Sequence, residues 1–241
     1  MFSREMGGYD RSLTMFSPEG RLYQVEYALE SVKKGTLGIG IKSKDCVVLI
    51  AHRKLSTSLM DPESIQKIYK IDEHIGCIIS GLNADSRILV DYARVQCQIH
   101  QLSYDETVLL RTLVQKIADV KQQYTQYGGT RPFGSALMFA GVDQDGPQLM
   151  TTAPTGRFWS WKATAIGLNE DQAKKMLEEK YKDDLSIEEI QKLGLEILKS
   201  NIDDELKPEV VQIGYILDKD KKFKIMDLED TKNLFEKLKI S

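Results

Sequence analysis

Cysteines and long apolar runs are scarce in this sequence of 241 residues. Its three cysteines, Cys46, Cys77 and Cys97, are too few and too scattered for a disulfide framework, and no CxxC pair indicates a zinc site. We therefore expect reduced thiols in a core. No apolar run approaches the roughly 20 residues of a membrane span, and residues 1–5 lack the apolar segment of a secretory signal. These absences favour a cytoplasmic protein.

An excess of charge of either sign is also missing. The formal net charge is -3, and the basic and acidic residues are interleaved, so no concentrated cationic surface is available for nucleic acid or an anionic membrane. His52, His74 and His100 stand at no metal-ligand spacing. The Gly-Ile-Gly segment at 38–40 lacks the third glycine of a nucleotide-binding loop. We expect no cofactor, no metal, and neither nucleic acid nor membrane as a partner.

The sequence does contain a regular order of strand and helix patterns. Alternating apolar residues predict a hairpin over 36–54 and a second strand pair near 67–80, and two long helices follow. Later strands are predicted at 135–142, 148–152, 157–166, 210–217 and 222–226, and later helices near 170–182, near 187–200 and up to Lys239. This order predicts an α+β fold in which two antiparallel sheets lie face to face and helices cover both outer faces. Because no proline-rich linker interrupts it, we expect one domain over 1–241.

Three local patterns lead to more specific expectations. A helix is expected over 20–34, beginning near Arg21 and ended by a left-handed Gly35. A single strand over 157–166 would place Trp159 and Trp161 on one face. The first long helix is predicted from one set of apolar residues at helical spacing. Its members are Ile88, Leu89, Tyr92, Val95 and Ile99.

Several motifs closely resemble the signature of proteasome α subunits. They are Tyr9-Asp10-Arg11, the segment 16–28, and Lys34-Gly35-Thr36. The similarity continues through 64–72, 80–87, 124–129 and 131–134, which are similar to the archaeal type of these subunits. This long ordered set is far more specific than one short motif. The resemblance implies the Ntn-hydrolase-like four-layer αββα sandwich with an extra N-terminal helix, in agreement with the layers predicted above.

The resemblance also implies a gate. Proteasome α subunits form the outer seven-membered rings of the 20S core particle, stacked on rings of β subunits that carry the peptidase sites. By this likeness the tail over 1–12 would block the axial channel, so that unfolded protein substrates pass only when the gate opens. The residues that match the gate cluster are Tyr9, Asp10, Arg11, Pro18 and Tyr27.

A second implied site is a docking pocket between neighbouring subunits. Lys67 matches the lysine that receives the C-terminal carboxylate of a regulatory ATPase ring, where a charge-assisted hydrogen bond is expected. The other residues of this set are Gly35, Gly81, Leu82, Gly20, Arg21 and Glu26. The expected partners are therefore other α subunits, β subunits, the C-terminal tails of the ATPase ring, and unfolded substrates in transit.

Two alternatives stay open. Gly35-Thr36 resembles the processing junction of the catalytic β-type threonine peptidases, in which the new N-terminal amine activates the threonine hydroxyl. Lys67 corresponds to their essential lysine, but His52 stands where they need an acidic residue, and cleavage before Thr36 would discard the helix over 20–34. We therefore expect a non-catalytic subunit. The second alternative is a ring component that serves purely as a scaffold. In a eukaryotic source, a nuclear location is also expected.

Overall fold

The computed structural model describes residues 15–55, 57, 59–203 and 205–239. The helices are α1 Tyr23–Lys33, α2 Asn83–Tyr104, α3 Leu110–Tyr124, α4 Glu170–Lys180, α5 Ile187–Asn201 and α6 Leu228–Leu238. The strands are β1 Gly38–Lys42, β2 Cys46–His52, β3 Ile68–Asp72, β4 Ile75–Gly81, β5 Ser135–Asp143, β6 Gly146–Thr152, β7 Phe158–Ser160, β8 Ala163–Ile166, β9 Val211–Leu217 and β10 Lys224–Ile225. Most predicted elements are present within a few residues of their expected ends.

The strands form two antiparallel sheets of five strands each. The first has the order β10-β9-β2-β1-β8 and the second the order β3-β4-β5-β6-β7. One apolar cluster lies between the sheets, a second lies between the first sheet and α4, α5 and α6, and a third lies between the second sheet and α2 and α3. The predicted four-layer αββα sandwich is therefore confirmed.

The central strand β2 shows how the sequence fits this architecture. All seven of its residues are buried, because it is covered on one face by the other sheet and on the opposite face by helices. Val47 and Leu49 point into the cluster between the sheets, whereas Val48 and Ile50 pack against the helices. A strand covered on both faces needs a continuous apolar run instead of alternation.

Helix α1 packs across the ends of β4 and β5 with Val25, Ala28 and Val32 buried. It begins two residues later than expected and ends at Lys33, and its C-cap residue Lys34 has right-handed backbone angles. Gly35 is not among the residues with positive φ, so the predicted left-handed cap is wrong. The need for glycine at this position has another cause, a close backbone approach described below.

The apolar residues whose spacing predicted α2 lie mostly on its outer side. Leu89 is buried, but Ile88, Val95 and Ile99 are between 47% and 60% exposed. The residues that face the sheet are mainly smaller ones, including Val90, Ala93 and Cys97, because small side chains let a helix approach a sheet closely. Within the described residues, the exposed apolar stripe of α2 has nothing packed over it.

The segment 157–166 is two strands in different sheets. β7 pairs with β6 in the second sheet, and β8 pairs with β1 in the first. The chain crosses between the sheets at Trp161, whose Nε1 donates to Thr151 Oγ1 at 2.8 Å, while Trp159 stays exposed on β7. The prediction of both indoles on one face of one strand is therefore wrong.

No helix in the described ranges combines the length and the apolar character needed to cross a lipid bilayer.

Gly76→Ala is expected to destabilise the fold by about 1–3 kcal/mol, because overpacking a filled core forces side chains and backbone to move. A Cβ at Gly76 would lie 2.0 Å from Cζ of Phe223, a buried ring that also packs on Gly214. Gly128→Ala is the matched control, since nothing lies within 4 Å of its Cβ position. Guanidinium unfolding of the two variants checks this, and an equal stability of both would contradict it.

Candidate functional site

The predicted gate residues Tyr9, Asp10 and Arg11 lie outside the described residues. The two other members of this set are described and exposed. Pro18 lies in a turn before α1, and Tyr27 lies on the outer side of α1. Both are therefore accessible to a neighbouring segment or chain.

The turn before α1 and the first turn of the helix are held together by hydrogen bonds. Ser17 N donates to Arg21 O at 2.9 Å, and Arg21 N donates to Ser17 Oγ at 3.1 Å. The Arg21 guanidinium donates to both carboxylate oxygens of Glu26, which raises the pKa of Arg21 and lowers the pKa of Glu26. Gly20 lies in the same turn and donates to Ser17 O. Gly20, Arg21 and Glu26 thus form one local group.

A second group forms where the end of α1, the end of β4 and the start of β5 meet. A Cβ on Gly35 would lie 2.3 Å from Ser80 Oγ and 2.4 Å from Gly81 N. Gly81 has a φ of 102°, and its Cβ would lie 2.2 Å from Gly134 O, the same oxygen that accepts from Leu82 N at 2.9 Å. Only glycine allows three backbones to approach so closely. We call this place, defined by Gly35, Gly81, Leu82 and Gly134, the glycine junction.

Lys67 lies beside the glycine junction and is buried. Its backbone oxygen accepts from Ile79 N, two residues before Gly81, and its backbone N donates to Gln212 Oε1. The residue is only 4% exposed, and burial lowers the pKa of its ammonium group to about 8. Within the described residues this ammonium group makes no hydrogen bond or ion pair. A buried ammonium group without a counter-ion is costly, so a carboxylate from another chain would stabilise it.

The predicted docking residues therefore separate into two groups. Lys67 and the glycine junction lie at the C-terminal end of α1, whereas Gly20, Arg21 and Glu26 lie at its N-terminal end. The 11 residues of α1 span roughly 16 Å. No hydrogen bond or ion pair between described residues connects Lys67 with Arg21 or Glu26. One chain alone does not bring the two groups into contact.

Sequence reasoning missed an ion pair that supports the junction. Arg131 donates to both oxygens of the buried Asp85 carboxylate at 2.6 and 2.7 Å, and Gly134 N donates to the same carboxylate at 2.8 Å. The Arg131 hydrogen bond and then the Gly134 amide hold the pKa of Asp85 below its ordinary value against the effect of burial. Asp85 and Arg131 occur in the recognised motifs, but nothing in their spacing indicated the contact.

The structure also describes the Gly35-Thr36 peptide bond on which the peptidase alternative depends. Leu168 N donates to Gly35 O at 2.8 Å, and a Cβ on Gly167 would lie 2.5 Å from Thr36 O. The backbone around this bond is therefore packed between β4 and the start of α4. While residues 1–35 are attached, the Thr36 nitrogen is part of an amide and cannot act as a base.

No group of three or more His, Cys, Asp or Glu side chains in the described part of the chain could hold a metal ion.

The chain is similar to known proteins over nearly its whole length. The family model for proteasome subunits matches residues 32–216, and the model for the N-terminal signature of A-type proteasome subunits matches residues 9–30. The proteasome α subunit of Archaeoglobus fulgidus is 48% identical over 230 residues, which cover 95% of this chain and 93% of the relative. That of Thermococcus sibiricus is 47% identical over 235 residues, 98% of this chain and 90% of the relative. That of Methanosarcina thermophila is 45% identical over 231 residues, 96% and 94% of the two chains.

Asp85→Asn is expected to lower the free energy of unfolding at pH 7 by about 1–3 kcal/mol, because charged hydrogen bonds to Arg131 and Gly134 are weakened. The pKa of Asp85 is lower in the folded state, so its stabilising contribution is complete above the unfolded pKa of about 3.9. The contribution disappears as the pH falls through the folded value.

Chemical unfolding of both proteins at pH 7 and in steps below pH 4 measures this difference. Asp91→Asn is the control, since Asp91 pairs with Arg94 on the exposed side of the same helix. If Asp85→Asn were no less stable at pH 7 than Asp91→Asn, the ion pair would not support the junction.

Proposed function

Because this chain belongs to the proteasome α-subunit family, whose members associate with α and β subunits in the 20S particle, we propose that it controls substrate entry and docks a regulatory ATPase ring. The α subunit is the structural, non-catalytic type. The chain itself would cleave no peptide bond, and unfolded proteins would pass through the ring on their way to the β subunits. We place this activity in the cytoplasm, or also in the nucleus of a eukaryotic source.

The observation that carries the docking proposal is the burial of Lys67. The residue is only 4% exposed, burial lowers the pKa of its ammonium group, and no hydrogen bond or ion pair joins that group to another described residue. A C-terminal carboxylate of the ATPase ring would form a charge-assisted hydrogen bond with it, and the absence of Cβ atoms at the glycine junction would let the tail's backbone approach. Gly20, Arg21 and Glu26 would be supplied by a neighbouring subunit, since one chain keeps them apart from Lys67.

An apolar stripe on α2 supports membership in a larger assembly. Ile88, Tyr92, Val95, Ile99 and Leu102 follow each other at intervals of four and three residues, the spacing at which one helix packs on another. All except Tyr92 are exposed in the single chain. An exposed apolar surface of this kind marks a protein interface.

The gate proposal rests on the segment that precedes α1. α1 is fixed to the sandwich by its buried side chains, and the hydrogen-bonded turn at Ser17–Gly20 defines where the preceding chain leaves it. In the proposal, residues 1–12 extend from this fixed point toward the ring axis, and Tyr9, Asp10 and Arg11 contact Pro18 and Tyr27 of neighbouring subunits when the gate is open.

Two other functions remain as competing hypotheses. A β-type threonine peptidase would need cleavage before Thr36, and the packing around Gly35 and Gly167 disfavours access to that bond. It would also need an acidic residue in place of the buried His52. A purely scaffolding subunit is distinguished from a gate only by the effect of the tail on substrate entry.

Lys67→Ala is expected to weaken docking of the ATPase ring by roughly ten- to a hundredfold per pocket, since a hydrogen bond to a charged group contributes about 1.5–3 kcal/mol. Docking to the unchanged protein should also weaken as the pH rises through about 8, the pKa of Lys67, because only the protonated amine attracts a carboxylate. The Lys67→Ala variant should lack this pH response.

The measurement uses particles assembled with the β subunit of the same organism. Stimulation of fluorogenic peptide hydrolysis is titrated with that organism's ATPase ring. Lys70→Ala is the matched control, because Lys70 lies on adjacent β3 but is paired with Glu73 at the surface. Equal stimulation of the Lys67 and Lys70 variants would refute the docking role.

Deletion of residues 2–12 is expected to raise the basal peptide hydrolysis of assembled particles several-fold, because the proposed obstruction at the axis is removed. Intact mass measured on undeleted particles must first show that residues 1–35 are still attached. The ring should assemble normally, since α1 and the sandwich are retained. An unaltered basal rate would favour the scaffolding hypothesis instead.

A further inference from the structure

Lys121 is a lysine at a core position of α3. It follows Leu113, Val114 and Ile117 along the buried side of the helix and is 0% exposed. Its Nζ donates to Ser135 O at 3.0 Å, to Thr152 O at 3.2 Å and to Thr152 Oγ1 at 2.7 Å. The amine therefore ties α3 to the start of β5 and the end of β6.

The β5–β6 pairing ends where Lys121 contacts it. The last pair on this side is Leu137 with Thr152, and the chain then enters the turn before β7, where Gly156 N donates to Ala153 O. The Gly134 carbonyl faces Leu82 N, and the next carbonyl, that of Ser135, therefore faces the β6 side. The Lys121 amine donates to this carbonyl beyond the last pair of the ladder.

The strand start that Lys121 holds is part of the glycine junction. Gly134 accepts from Leu82 N and donates to Asp85, and its oxygen lies where a Cβ of Gly81 would be. Ser135 pairs directly with Gly81. A shift of the 134–135 backbone would therefore move Gly81 and Leu82, which line the proposed docking pocket.

Stability alone is a poor explanation for a lysine at this position. Burial lowers the pKa of Lys121 to about 7, and the titratable group that acts on it is the buried thiol of Cys77 on β4. β5 and β6 present to its Nζ the carbonyl and hydroxyl oxygens named above. An apolar side chain of similar length would avoid the desolvation penalty of the amine but would take this donor from the buried Ser135 carbonyl and Thr152 hydroxyl. Because these two effects oppose each other, the net gain in stability from the lysine is small.

We propose that Lys121 is a positioning residue for the docking pocket: its amine, bonded to the Ser135 carbonyl and to Thr152, fixes the start of β5 and thereby holds Gly81 and Leu82 in the shape that receives a partner's C-terminal carboxylate. This inference rests on the proposed docking function. Protonation changes the number of N–H groups that Nζ offers from two to three, so docking should also respond to pH near 7.

The test compares three variants in particles assembled with the β subunit, titrated with the ATPase ring of the same organism. Lys121→Met should weaken docking about three- to tenfold, the effect of one or two uncharged hydrogen bonds, while the resistance to guanidinium changes little. Lys116→Met, on the same helix but bonded to Gln96, should dock normally. Lys121→Gln keeps a donor without a titratable amine, so it should dock well and lack the pH response near 7.

Several results would overturn this role. They are normal docking by Lys121→Met, a docking loss that parallels a loss of stability, or a pH response near 7 that persists in Lys121→Gln. If Lys121→Met does not assemble, the Lys121→Gln result decides. If the unchanged particle shows no response to the ATPase ring, the docking function and the role of Lys121 both fail. If the unchanged particle responds and the Lys67→Ala particle does not, the docking function stands. Normal docking by Lys121→Met would then refute only the role of Lys121.

Discussion

The structure depends on one close approach of backbones at the glycine junction. Here the end of α1, the end of β4 and the start of β5 come so near each other that a single Cβ on Gly35 or Gly81 would overlap its neighbours. The Asp85–Arg131 ion pair supports this place from α2, and Lys121 supports it from α3. The N-terminal helix, the second sheet and its two outer helices are thus joined at a single point, next to the buried Lys67.

The layers of the fold could be predicted from the residues because strand and helix periodicities report which side of an element is buried. The pattern fails where two sides of one element are apolar. In α2, Ile88, Val95 and Ile99 have the spacing of core residues but are exposed. The smaller residues Ala93 and Cys97 are buried against the sheet instead. The segment 157–166 has strand patterns in both halves, and a crossing between sheets leaves no local mark.

The candidate site was less predictable than the fold. Resemblance drew attention to Lys67, Gly35, Gly81 and Leu82, but no spacing in the sequence shows that Lys67 is buried without a counter-ion. Gly35 was expected to be a left-handed cap, but its backbone is ordinary and glycine is needed there because of the close packing around it. Lys121 was missed altogether, because a lysine within an apolar helical stripe is ordinarily interpreted as a side chain that reaches water.

The exposed stripe on α2 has a consequence for the life of the free subunit. Large side chains in heptad spacing would remain wetted whenever the chain is made in excess of its partners, and they offer a surface on which identical copies can associate without order. An unassembled copy would therefore keep this surface exposed until a partner covers it.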